Sequence, residues 1–112
     1  MVKVQNLKDS LPLKLLTENT NLSSEITGCY IGDLLSWVMA NANNKNVWIT
    51  VMGNINTIAV AALTNISCII LAENASLDED AKAKAIEHNI PIFVTDLNSY
   101  NIAVKISKLL ET

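Results

Sequence analysis

Apolar residues come in short blocks along this chain, and polar residues mark the joints between them. Val4, Leu7 and Leu11 fall on one helical face, and Pro12 ends that short helix. Residues 13–17 read as a short strand and the polar run 18–24 as a loop. Residues 26–31 form the next strand. Gly32 and Asp33 punctuate it, and Asp33 is placed to cap a helix running to about residue 41. The Asn-rich run 41–46 is a turn, and residues 47–52 are β-branched and aromatic in the way of strands. Gly53 ends that strand, and Asn54 or Asn56 opens a helix reaching Leu63. Residues 66–71 are a continuous apolar strand closed by Glu73 and Asn74.

Ser76 and Glu79 have the spacing of a capping box, which predicts a helix over 77–87 with Leu77, Ala81 and Ala85 on one face. His88 and Asn89 close it, and Pro91 prevents its continuation. Residues 91–95 are the last strand, and Asn98 caps a final helix carrying Tyr100, Ile102, Ile106, Leu109 and Leu110. Strands that are apolar throughout, joined by helices, imply a mainly parallel sheet reached by right-handed crossovers. The expected class is therefore α/β, a three-layer α/β/α arrangement with helices on both faces. Residues 1–112 are expected to form one domain.

The helices are not alike. The one after Ser76 is amphipathic, whereas Leu34, Leu35, Trp37, Val38 and Met39 cover most of the circumference of the helix after Asp33. Ile55, Ile58, Val60 and Leu63, with the intervening alanines, do the same for the helix that follows. Packing on a sheet needs an apolar stripe only about 100° wide. The surplus predicts a homodimer, with Leu34, Trp37, Val38 and Ile58 as candidate interface residues. The alternative is that other elements of the same chain cover both helices.

Composition narrows the function. Half of the residues are apolar, which excludes a disordered chain. A formal charge of −3 without a basic cluster argues against nucleic acid as a partner. The longest apolar stretch is broken by Thr64, Asn65 and Ser67, well short of the roughly 20 apolar residues of a membrane span. The first residues lack the apolar core of a signal peptide, so the expected location is the cytoplasm, with no membrane partner. Cys29 and Cys68 lie in apolar strands at no metal-site spacing, which favours buried reduced thiols over a disulfide or redox pair.

In parallel sheets ligands gather beyond the carboxyl ends of the strands. Those ends are Gly32-Asp33, residues 53–56, Glu73-Asn74 and Thr95-Asp96; among them Asp33, Gly53, Asn54 and Asn56 are the candidate ligand-binding residues, with backbone N–H groups at the helix start as donors to an anion. The same pattern also builds an ordinary strand-to-helix turn. Three glycines in the chain, Gly28, Gly32 and Gly53, assemble neither a P-loop nor a dinucleotide turn. Asp33 or Asp96 is conceivable as a phosphoacceptor, but no acid pair near the first strand would hold magnesium. The sole histidine, His88, reads as structural or solvent-facing at a helix end. Ser36 has no triad partners nearby in sequence, and Asp78, Glu79 and Asp80 read as a solvated helix start. No catalytic residue, metal ligand or cofactor is expected, and the chain leans away from being an enzyme.

The block GDLLS at 32–36 and the block NINTIAVA at 54–61 resemble the DRTGG domain in its stand-alone form. Residues 67–73, SCIILAE, and 90–96, IPIFVTD, fit the same pattern, so the resemblance runs from about Ile26 to Leu110. It implies an α/β/α sandwich related to the N-terminal domain of the bacterial HPr kinase/phosphorylase, and dimerisation. Members are attached to phosphotransacetylase, to cobyrinate-synthase-like ATPases, and between CBS domains of pyrophosphatases that bind an adenine nucleotide nearby. Stand-alone members are encoded near iron-only hydrogenase genes. The name-giving Asp-Arg falls on Ser23-Ser24, Thr-Gly-Gly falls on Thr27-Gly28-Cys29, and Asn54 stands where some members have His. The expected function is a non-catalytic regulatory or interaction domain that senses a nucleotide or another phosphorylated metabolite. The alternatives are a phosphotransfer-related enzyme like the HPr kinase and an accessory partner of a redox enzyme such as hydrogenase.

Overall fold

Val47, Trp48, Ile49 and Thr50 are all buried, and so are Cys68, Ile69, Ile70 and Leu71. Strands without a polar alternation must be covered on both faces. In the computed structural model, which describes residues 1–111, they are strands β3 (Asn46–Thr50) and β4 (Cys68–Leu71) at the centre of a five-stranded sheet. The flanking strands are β1 (Lys14–Leu15), β2 (Gly28–Ile31) and β5 (Ile92–Val94), in the order β1-β5-β4-β3-β2. All neighbours run parallel except β1, which pairs antiparallel with β5 through Lys14–Val94 and Leu15–Phe93.

Two helical layers cover the sheet. Helices α2 (Leu35–Asn41), α3 (Ile55–Thr64) and α4 (Glu79–Glu87) pack on one face through Val38, Ile58, Ala61, Ala81 and Ala85 against Trp48, Ile69 and Leu71. Helices α1 (Val4–Ser10) and α5 (Ser99–Leu110) pack on the other through Val4, Leu7, Ile102 and Ile106 against Val47, Ile49, Cys68, Ile70 and Phe93. Successive residues of one strand thus feed opposite cores, as the two-residue period requires. The α/β/α class and the mainly parallel sheet agree with the sequence pattern.

The caps divide. Asn98 accepts from the Asn101 N–H at 2.8 Å and Asn54 from the Thr57 N–H at 3.1 Å, so both cap as expected. Asp33 does not cap α2; Leu34 stands at that position without a side-chain bond. The Ser76 capping box also fails to form. Helix α4 starts later, at Glu79, because the Asp78 N–H donates to the Gly53 carbonyl at 2.8 Å. A backbone bond to a neighbouring loop has displaced the local side-chain cap.

Strand β1 is shorter than its apolar run because a side chain takes over the pairing. The fully buried Thr17 hydroxyl accepts from the Ile92 N–H at 2.9 Å, while the Leu16 N–H donates to the Ile92 carbonyl at 2.8 Å. Replacing Thr17 by Val keeps the shape but leaves a buried N–H unpaired. Thr17→Val is expected to cost about 1–3 kcal/mol, read as a lower urea midpoint with an unchanged slope.

Candidate functional site

The carboxyl ends of β2, β3, β4 and β5 open onto four loops; the sequence-predicted ligand residues Asp33, Gly53 and Asn54 lie in them, and Asn56 lies in the first turn of the helix that follows. The side chains of Asp33 and Asn54 are already engaged. Asp33 Oδ1 accepts from the Thr50 hydroxyl at 2.7 Å and from the Val51 N–H at 3.1 Å, which ties the β2–α2 loop to the end of β3. Asn54 Oδ1 accepts from both the N–H and the hydroxyl of Thr57. Asn56 is exposed in the first turn of α3.

Gly53 has a different constraint. A Cβ there would lie 2.1 Å from the Ser76 carbonyl oxygen and 2.9 Å from the Leu77 Cα. The β3–α3 and β4–α4 loops meet backbone to backbone at this point, and only a residue without a side chain allows it. Gly53→Ala must push the loops apart and is expected to lower Tm by about 5–15 °C, the equivalent of roughly 1–3 kcal/mol of overpacking. A variant melting like the parent by calorimetry would show that the loops part freely.

Beside these loops runs a groove that takes in two of the strand ends, at Asn74 and at Thr95 and Asp96, together with Lys14 and Lys82, to which the sequence did not point. One part, about 380 Å³, lies between Lys14 and Leu16 on the β1 side and Asn74, Leu77 and Lys82 on the α4 side, with Val94 between. An adjoining part of about 350 Å³ shares Lys14, Asn74 and Val94 and extends to Thr95 and Asp96. The loop that carries Asn74 is held by the Glu73 N–H on the Leu97 carbonyl and the Asn74 N–H on the Thr95 carbonyl. Glu73 and Asn74 are both left-handed, at φ 57° and 54°. Asn adopts that region readily and Glu at a cost.

The name-motif positions sit at the opposite end of the sheet. The Ser24 and Ser67 hydroxyls are 3.1 Å apart, and Thr27 donates to the Asn44 carbonyl at 2.7 Å. A smaller cavity of about 240 Å³ there is lined by Ser24, Asn65, Ser67, His88 and Asn89 among others. Among the described residues no three of His, Cys, Asp and Glu are grouped to hold a metal ion. Every buried side-chain N or O atom described has a hydrogen-bond partner.

The four candidate interface residues separate. Val38 and Ile58 are fully buried inside the chain beneath α2 and α3, so they belong to the core and not to any interface. Leu34 and Trp37 are exposed by 60% and 62%. Ile31, Val51 and Ile55, also exposed, lie at the ends of the same strands and at the start of α3. Trp48 is the opposite case: it is buried, with its indole N–H donating to the Gly32 carbonyl at 2.9 Å.

Cys29 and Cys68 flank β3, since Val47 pairs with both of them. Two strand spacings, roughly 9–10 Å, exceed the Cα separation that a disulfide spans. Burial pushes the Cys29 thiol up to about 11, and burial with the Cys29 neighbour raises Cys68 further. Below the ordinary thiol value both states are protonated and the native thiols add full stability. As pH rises past 9 the unfolded chain ionises first, and stability falls towards pH 11. At pH 8 iodoacetamide should label the native protein slowly and the unfolded protein fast, read by mass spectrometry.

The DRTGG domain pattern matches residues 6–109. The chain belongs to the DRTGG domain family. A comparison with curated proteins finds no match. Among solved structures the DRTGG chain is similar to the crystal structure of the CBS and DRTGG domains of the regulatory region of Clostridium perfringens pyrophosphatase, complexed with its activator diadenosine tetraphosphate. The TM-score is 0.69 at 13% identity, over 88% of this chain and 43% of that one. At that identity the likeness carries the fold, and the DRTGG chain spans less than half of that regulatory region. Among the described residues no helix is long and apolar enough to cross a membrane.

Proposed function

We propose that this DRTGG chain is a single non-catalytic regulatory or interaction domain of the cytoplasm. It acts as a homodimer and reads a nucleotide or another phosphorylated metabolite at the carboxyl ends of its strands. The observation that carries this reading is the state of the strand-end side chains. Asp33, Thr50 and Asn54 are held in hydrogen bonds that brace loops and cap a helix, while open volume remains at the neighbouring ends of β4 and β5, beside Asn74 and Val94. Such an arrangement suits recognition more than bond making. The crystallised nucleotide-activated regulatory region with the same fold supports the same class of role.

The dimer rests on Leu34 and Trp37, which lie beside the open edge of the sheet at β2. Burying such side chains fully yields about 1.5–3 kcal/mol each, enough to favour a self-complementary contact once several are joined.

Two measurements test the reading. Light scattering at tens of micromolar should report a dimer, and Trp37→Glu should report a monomer with Tm essentially unchanged. A parent protein that runs as a monomer would sink the dimer. Thermal shift against a panel of adenine nucleotides at millimolar concentration should raise Tm by a few degrees, as linkage to a ligand of the native state requires. Label transferred from radiolabelled ATP to the protein would instead favour phosphotransfer.

A further inference from the structure

We propose that the groove between β1 and α4, not the Gly53–Asn54 turn, holds the ligand, and that Lys14 and Lys82 grip the phosphate of a nucleotide there. The inference rests on the ligand-sensing reading above and gives it a place and a chemistry. Three chain segments build the groove: the antiparallel edge strand, the β4–α4 loop with the first turns of α4, and the end of β5. Its two parts, about 380 and 350 Å³, together fall in the size range of small-molecule sites.

The charges are placed unevenly. Lys14 and Lys82 line the same volume from opposite walls. The one ion pair among the described residues joins Lys84 to Glu87, so neither Lys14 nor Lys82 has a carboxylate within 4.0 Å. Most lysines among the described residues are likewise free of ion pairs; what sets Lys14 and Lys82 apart is that they line one volume from two different elements. Glu79 shares the wall and leaves the first volume with a formal surplus of one positive charge. The Asn74 side chain adds an amide donor from a backbone held by two hydrogen bonds. A phosphate has oxygens enough to accept from two ammonium groups and an amide at once.

The remainder of the groove has the complementary polarity. Leu16, Leu77 and Val94 provide an apolar surface for a base, and Asp96 and Thr95 lie only in the part away from Lys82. A carboxylate there suits the hydroxyl or amino donors of a nucleoside and repels a second phosphate. A mononucleotide therefore fits better than inorganic pyrophosphate, which would use the cationic part alone.

Titration of the 15N-labelled full chain with AMP, ATP and pyrophosphate at constant ionic strength tests this. Amide shifts should centre on Lys14, Asn74 and Lys82, and AMP should bind more tightly than pyrophosphate. Lys14→Ala with Lys82→Ala should weaken AMP by about tenfold or more, while Glu79→Gln should tighten it about two- to threefold. The parent-like amide spectra of these exposed-site variants would show that folding is intact. Shifts centred on Gly53, Asn54 and Asn56, unaffected by the lysine changes, would overturn the groove and keep the ligand-sensing reading. Pyrophosphate binding as tightly as AMP would overturn the nucleotide assignment. No shift with any of the three at millimolar concentration would overturn both the groove and the nucleotide reading.

Discussion

Strands β3 and β4 have no solvent face, and most of what this protein can do follows from that constraint. A strand covered on both sides offers apolar side chains to two cores in alternation, so it has no position left for a reactive group. Polar side chains on these strands survive only at their ends. Asn46 starts β3 and Thr50 finishes it, and both are buried and hydrogen-bonded to a neighbouring segment. The faces of these two strands are therefore closed to any ligand, and the loops beyond them are fixed by the same few polar groups that mark the strand ends. Asp33 on Thr50 and Val51, and the Gly53 carbonyl on the Asp78 N–H, join three consecutive strand-to-helix loops into one rigid rim.

Much of the architecture was legible because periodicity survives without context. Alternating apolar strands and helical runs led to the layers, and Asn54 and Asn98 cap the helices they precede. Where two partners compete, local spacing misleads. Asp33 had the right place for a cap, yet a hydroxyl and an N–H on the adjacent strand reach its carboxylate, and a cap bond is no match for two. Ser76 lost its box because Gly53 brings another backbone against it. A helix apolar all round also hides its own phase. The surplus on α2 was visible in the composition, but which side faces the sheet was not, so Val38 and Ile58 could not be told from Leu34 and Trp37.

The groove was half legible: Asn74, Thr95 and Asp96 stand at strand ends where ligands gather, but its lysines do not. Lys14 and Lys82 are distant in sequence and unremarkable in type, and only the antiparallel return of β1 beside β5 brings them to one volume with Asn74. A scan for motifs finds residues that are unusual where they stand; it passes over ordinary lysines whose meaning lies in who sits opposite. The left-handed Glu73 is a further local trace. A residue that would be easier as Gly marks a loop whose course is set by its neighbours, here the carbonyls of Thr95 and Leu97.

Helices α1 and α5 share a face, while α2, α3 and α4 occupy the other. The first and last helices of the chain thus make up one whole layer, and the strand-to-helix crossovers make up the layer opposite. A fold partitioned in this way is easily spliced. Extra sequence joined before α1 or after α5 emerges beside the terminal layer and need not cross the crossover helices or the strand-end rim. The same property would let this unit be inserted between unrelated neighbours, with its sheet acting as a partition between the splice points and the crossover layer.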